Sequence, residues 1–282
     1  METSVSEINA EYFLAPDGAR LNLLRAGRSQ DVCDSKLTVL LVPGWCMPAT
    51  IWRETMLALA MHHEVIAFDP RGQGESEVPA LGYQIDQRAD DLARCIDRFD
   101  RVILVAWSLG ALESLHYLYR HGEAKIAGLV LVDSSVGEDP PPAVATGFRE
   151  EFRSDRNKAM ERFVRAMFVS VRPESEIGSL CENALRMPLE ASLALFPSHL
   201  PREHWRAIAR GVRVPMLYTA TLQFAEQARN LMNARPETKV EIFENAGHAL
   251  FIDEAERFRR VILRFIIESC RAGESDALLD SP

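Results

Sequence analysis

Val102-Ile103-Leu104-Val105-Ala106-Trp107-Ser108-Leu109-Gly110-Ala111 reads as a strand, a sharp corner and the start of a helix. The apolar, largely β-branched run up to Ala106 has the character of a strand buried on both faces, and Leu112 to Tyr119 continues with helical spacing. Ala106 and Gly110, two places either side of Ser108, are small, which lets the strand and helix backbones approach closely. The corner presents Ser108 instead of burying it. The same residues also allow a plainer reading, a serine that caps a helix after a buried strand.

Strand, turn and helix recur on both sides of this unit. Leu37 to Val42 is an apolar strand that breaks at Pro43-Gly44-Trp45, and Ile51 to Ala60 then has helical spacing. Before it, Ile8 to Leu14 and Leu21 to Arg25 flank the turn Pro16-Asp17-Gly18 as an antiparallel hairpin. Glu64 to Phe68 runs into the loop Asp69-Pro70-Arg71-Gly72-Gln73-Gly74-Glu75-Ser76, and Tyr83 to Phe99 is an amphipathic helix. Gly72-Gln73-Gly74 is not a dinucleotide fingerprint, because no third glycine opens a helix directly after it. Ile126 to Val132 is a further buried strand and ends at Asp133. Alternation of this kind implies right-handed crossovers, a mostly parallel sheet with helices on both faces, and ligands at the carboxyl ends of the strands.

The pattern changes at Asp139-Pro140-Pro141-Pro142. From Ala143 to about Gly211 no strand-like run occurs, only helical patterns punctuated by prolines. Strands resume at Val214 to Ala220 and Lys239 to Phe243, with helices at Phe224 to Ala234 and Asp253 to Cys270. The expected organisation is a core of residues 1–136 and 212–270, an all-helical lid at 137–211 and a flexible tail at 271–282.

Composition narrows the classes of function. The 282 residues carry a formal net charge of −9 and are 47% hydrophobic, so one large soluble core is affordable and no basic stripe for nucleic acid is present. The five cysteines, Cys33, Cys46, Cys95, Cys181 and Cys270, are odd in number and widely spaced, which suits a reducing compartment better than a disulfide framework. The first residues lack an apolar signal core and no apolar stretch reaches the ~20 residues of a membrane span. A cytoplasmic protein is expected. His199 and His204 miss the helical zinc spacing, so no metal is expected; no cofactor is expected either. Oligomeric state is left open.

The order of these elements, with Pro43-Gly44-Trp45, Asp69 to Ser76, Ala106 to Gly110 and Asn245-Ala246-Gly247-His248 each after a strand, resembles the α/β-hydrolase fold family. The resemblance runs from about Tyr12 to Cys270. The pairing of Gly44-Trp45 with Trp107-Ser108-Leu109-Gly110 is similar to that of the pimeloyl-ACP methyl ester esterases and related carboxylesterases. Ser108 would be the nucleophile and His248 its general base, since a neutral serine hydroxyl needs a base within hydrogen-bond reach. The backbone N–H groups of Trp45 and Leu109 would form the oxyanion hole. Where the family keeps its acid, this chain reads Tyr218-Thr219-Ala220-Thr221-Leu222-Gln223, with no carboxylate before Glu226. Asp133, at the end of the strand after the nucleophile helix, is the replacement, as in some dehalogenases and lipases of the family. A structural, turn-capping Asp133 is the alternative.

Asp69, Arg71 and Ser76 are expected to brace their loop, and Glu113 has the weakest claim to chemistry. Phe148, Phe152, Met160, Phe163, Met167, Phe168, Met187, Leu195 and Phe196 give the insertion an apolar face, for packing or for an acyl pocket. The implied activity is hydrolysis of a small carboxylic ester with an apolar acyl part. Two alternatives remain. One is another reaction on the same site, by a perhydrolase, lactonase, thioesterase or C–C hydrolase; the other is a catalytically degraded, ligand-sensing protein.

Overall fold

A computed structural model describes residues 7–27, 37–142 and 147–279, with side chains through residue 270. Cys33, and Ala143 where the strand-free stretch is expected to begin, lie outside the described residues. Among the described residues eight strands form one sheet: β1 (Asn9–Leu14), β2 (Arg20–Ala26), β3 (Leu37–Val42), β4 (Glu64–Asp69), β5 (Arg101–Trp107), β6 (Ile126–Val132), β7 (Met216–Thr221) and β8 (Lys239–Phe243). Their order is β1-β2-β4-β3-β5-β6-β7-β8. β2 pairs antiparallel with both β1 and β4, and every other pairing is parallel. The hairpin therefore forms one edge of an otherwise parallel sheet, and β5 lies at its centre.

Period-two alternation divides the core into two layers. Val39, Leu41, Ile103, Val105 and Trp107 enter one apolar cluster, while Leu40, Val42, Val102, Leu104 and Ala106 enter the other. Helices cover both faces: α1 (Arg53–Leu59), α2 (Ile85–Ile96) and α3 (Leu109–His121) come first. A 3-10 turn at Ala49–Trp52 precedes α1, and α2 is shorter than its apolar spacing predicts because Gln84 is extended and the chain turns after Ile96.

Among the described residues, five helices lie between β6 and β7: α4 (Phe148–Ser154), α5 (Arg156–Ala166), α6 (Glu174–Leu185), α7 (Leu189–Ala194) and α8 (Arg202–Gly211). They do not act as one layer. Phe152, Met160, Val164, Ile177, Leu180 and Leu193 of α4 to α7 join the cluster containing Trp45 and Trp107, whereas Trp205 and Ala209 of α8 join the opposite cluster with Leu115 and Leu118 of α3. The last of the five thus packs with the core. After β7 come α9 (Ala225–Ala234), α10 (Leu250–Asp253) and α11 (Ala255–Leu279). The helix α11 continues to Leu279, where a flexible tail is expected from 271; no proline interrupts the sequence before Pro282. Among the described residues no helix is long and apolar enough to cross a membrane, and no disulfide joins two cysteines.

Candidate active site

Ser108 sits between β5 and α3 in the left-handed region, with φ 55° and ψ −120°. A non-glycine residue held there costs about 1–3 kcal/mol, so the surroundings must over-determine it. They do so from both strands and helix. The Ser108 N–H donates to Val132 O at 2.9 Å and the Ala111 N–H to Ser108 O at 3.0 Å. The corner is closely packed: a β-carbon on Gly110 would lie 2.5 Å from Pro43 O, which no side chain there can meet without a shift, and one on Gly44 would lie a tight 3.0 Å from Ser108 Cβ.

Asp133 repeats the arrangement one strand over. It follows β6 with φ 43°, its N–H donates to Thr219 O at 2.8 Å, and its carboxylate is wholly buried. One carboxylate oxygen, Oδ1, accepts from the Thr221 N–H at 2.7 Å. That amide ends β7, the place where the family's acid would stand; Leu222 beside it is exposed, and so is Glu226 on α9. Next to Asp133, burial and the carboxylate charge push the Tyr218 phenol up, which keeps it a neutral donor to Ser134 O.

His248 arrives from the loop between β8 and α10. Its Nδ1 lies 2.7 Å from Asp133 Oδ2 and its Nε2 lies 2.9 Å from Ser108 Oγ. A carboxylate only accepts, so the imidazole proton belongs on Nδ1, leaving the Nε2 lone pair to accept from the serine hydroxyl. The loop is tied down by three further bonds. Trp107 Nε1 donates to His248 O at 2.8 Å, the Ala249 N–H to Met167 O at 2.8 Å and the Gly247 N–H to Asp253 Oδ2 at 2.8 Å. Asp253 also accepts from the Val169 and Ser170 N–H groups and from the Ser170 hydroxyl, so one carboxylate staples the insertion to the histidine loop. Burial opposes its charge, yet the Ser170 hydroxyl and the surrounding N–H donors together hold its carboxyl below the usual aspartate range.

Of the two expected oxyanion donors, Leu109 follows Ser108 directly and Trp45 follows Gly44, where an added β-carbon would lie 3.0 Å from Ser108 Cβ. Leu109 is the first residue of α3, so its N–H has no carbonyl one turn behind it. Trp45 opens a turn closed by the Met47 N–H on Gly44 O at 3.2 Å, with the buried Cys46 at φ 57°. Burial pushes the Cys46 thiol up to about 12, so it stays protonated and unreactive. The Trp45 ring is the point on which the insertion rests. Phe148, Phe152, Phe163 and Phe196 lie with ring centroids 5.1–5.6 Å from it, and its Nε1 donates to Ser192 O at 2.7 Å.

The other candidates sit in supporting places. Asp69 accepts from the Ala49 N–H, Asn22 Nδ2 and the Glu75 N–H, and Ser76 Oγ donates back to Asp69 O. Arg71 is buried between Asp17 and Asp91. His116 contacts Asp86 and His204, and His62 and His63 precede β4, all away from Ser108. Among the described residues no three His, Cys, Asp or Glu side chains converge as metal ligands. Residue patterns did not single out Asp253 or the Trp107 indole, because neither contact has a local signature.

An eight-stranded, mostly parallel sheet that carries a serine on a strained strand-to-helix corner, with a histidine in a loop after the last strand, defines the α/β-hydrolase class. The alpha/beta hydrolase family model matches residues 39–261, and the chain belongs to that family. It is similar to the pimeloyl-(acyl-carrier protein) methyl ester esterase of Vibrio cholerae, with 28% identity over 254 residues that take in 85% of this chain and 95% of that one. It is also 27% identical over 283 residues to the polyketide synthase ThaQ of Burkholderia thailandensis, covering 95% of this chain but 13% of ThaQ. Among solved structures, an esterase of Exiguobacterium antarcticum superposes with a TM-score of 0.79 at 21% identity, covering 90% of this chain and 98% of the other, a likeness of fold.

Proposed function

We propose that the protein is a hydrolase of carboxylic esters in which Ser108, His248 and Asp133 act as nucleophile, general base and orienting carboxylate. The observation that carries this reading is the pair of contacts made by one imidazole, 2.7 Å to Asp133 and 2.9 Å to Ser108. His248 Nε2 takes the hydroxyl proton as Ser108 Oγ attacks the ester carbonyl. The carbonyl π pair moves onto oxygen, where the N–H groups of Trp45 and Leu109 receive the negative charge. Collapse expels the alcohol, protonated by His248, and leaves an acyl-Ser108 ester. Water, deprotonated by His248, then releases the acid. Asp133 holds the ring tautomer and stabilises the imidazolium.

No cofactor or metal enters these steps. The substrate is a small molecule whose apolar acyl part lies under the phenylalanines gathered on Trp45, and the lid is formed by α4 to α7, while α8 packs with the core. The similarity to the Vibrio cholerae methyl ester esterase supports ester over other acyl chemistry. A ligand-sensing, non-catalytic protein was suggested by the missing carboxylate at Leu222. The buried Asp133 beside His248 speaks for the enzyme instead.

The test is hydrolysis of p-nitrophenyl esters of graded acyl length by the wild type and Ser108→Ala. Turnover by the wild type, lost by roughly 10⁶-fold in kcat in the variant, is expected. Equal rates in the two would remove the reading.

A further inference from the structure

We propose that Gln73 is a positioning residue that aims the Trp45 N–H at the developing oxyanion; this rests on the ester-hydrolase reading of Ser108. The Gly44 carbonyl and the Trp45 N–H belong to one trans peptide, so they point in opposite directions, and whatever fixes the carbonyl fixes the N–H. Gln73 Nε2 donates to Gly44 O at 3.1 Å and to Met47 O at 2.7 Å. Its two amide hydrogens therefore grip both ends of the turn that contains Trp45 and the strained Cys46. The orientation of the Gln73 amide is set in turn, because its Oε1 accepts from Arg88 Nη2 at 3.1 Å.

Arg88 is held by Glu113, with Nε 2.8 Å and Nη2 2.5 Å from Oε1, and Nη1 donates to Arg71 O at 3.3 Å. Burial pushes the Glu113 carboxyl up, while the Arg88 guanidinium pulls it back toward the ionised form. Glu113 lies on α3 one turn after Leu109, the other oxyanion donor. One chain of buried polar groups, Glu113, Arg88 and Gln73, thus links the helix that presents Leu109 to the turn that presents Trp45. Gln73, Arg88 and Glu113 are 1–2% exposed, so solvent does not stand ready to replace a lost partner. A glutamine that only satisfied loop carbonyls would need no fixed relation to Trp45. Here it binds the one carbonyl whose peptide carries the donor.

The experiment uses the full chain with Gln73→Met, which keeps volume and removes both donors, and Gln73→Glu, which keeps the length and the Arg88 contact and serves where the first does not fold. Steady-state hydrolysis of a p-nitrophenyl ester, inhibition by a trifluoromethyl ketone and complete labelling of Ser108 by a fluorophosphonate are measured beside the melting temperature. Direct loss of one oxyanion donor costs ~10²–10³ in kcat, so its misdirection is expected to cost ~10–100-fold. KM should stay within about threefold, and the ketone, which forms the tetrahedral adduct, should weaken in parallel with kcat. Labelling should still reach completion. A folded variant with kcat within about threefold of wild type, or with ketone affinity unchanged while kcat falls, would overturn the proposal. A wild type that neither hydrolyses esters nor labels would instead remove the ester-hydrolase reading and this proposal together.

Discussion

Ser108 and Asp133 are delivered by the sheet, whereas His248 is delivered by a loop, and the two kinds of support differ throughout. Ser108 and Asp133 each follow a central strand, each has a left-handed backbone, and each donates its N–H to the neighbouring strand. His248 follows the edge strand β8, which is only partly buried, and its position depends on Trp107, Met167 and Asp253. Ser108 and Asp133 are thus fixed by backbone pairing that belongs to the fold. His248 is fixed by tertiary contacts, two of which reach into the insertion. The packing of the insertion and the placement of His248 therefore share the same contacts.

Substitutions can break this contrast. Asp133→Asn sits on the rigid side and should leave the melting temperature nearly unchanged while lowering kcat by roughly 10³ to 10⁴, because an amide N–H facing Nδ1 favours the wrong tautomer. Gly247→Ala acts on the loop side. Its β-carbon would lie 2.6 Å from Met167 O, so the His248 loop must shift, and misplacement by about 1 Å is worth ~10²-fold in kcat. Trp107→Phe removes one donor to the His248 carbonyl. A hydrogen bond of about 1 kcal/mol corresponds to a loss of roughly fivefold, read in kcat with KM unchanged.

The smallest effect concerns pH. The folded-state pKa of Asp253 is depressed, so its contribution to stability is present above the ordinary aspartate range and disappears as pH falls through the lower folded value. Melting temperatures followed from neutral to acid pH should therefore fall less steeply for Asp253→Asn than for wild type. At neutral pH the variant should keep kcat within about threefold. An equally steep acid loss in both proteins would show that the staple between the insertion and the histidine loop contributes nothing.

Much of the fold was legible because parallel strands buried on both faces are written as unbroken apolar runs, as in Val102 to Ala106 and Ile126 to Val132. Ser108 was marked by the small residues around it, His248 by its loop after the last strand, and Asp133 by its strand end. Each of these is a local pattern. The grip of Gln73 on Gly44 and the staple from Asp253 to Ser170 span 29 and 83 residues and exist only once the loops are in place. The α8 helix was read as part of the lid because its strand-free pattern matches α4 to α7. Only tertiary packing shows that Trp205 turns to the opposite face of the sheet.

The central claim is that Ser108 becomes acylated. Full-length protein mixed with a p-nitrophenyl ester, quenched in acid within the burst phase and digested, can be read by mass spectrometry at the peptide carrying Ser108. The acyl mass is expected on Ser108, in an amount equal to the p-nitrophenol burst and absent from Ser108→Ala. Hydrolysis that continues in Ser108→Ala, with no acyl mass on the wild-type peptide, would contradict it.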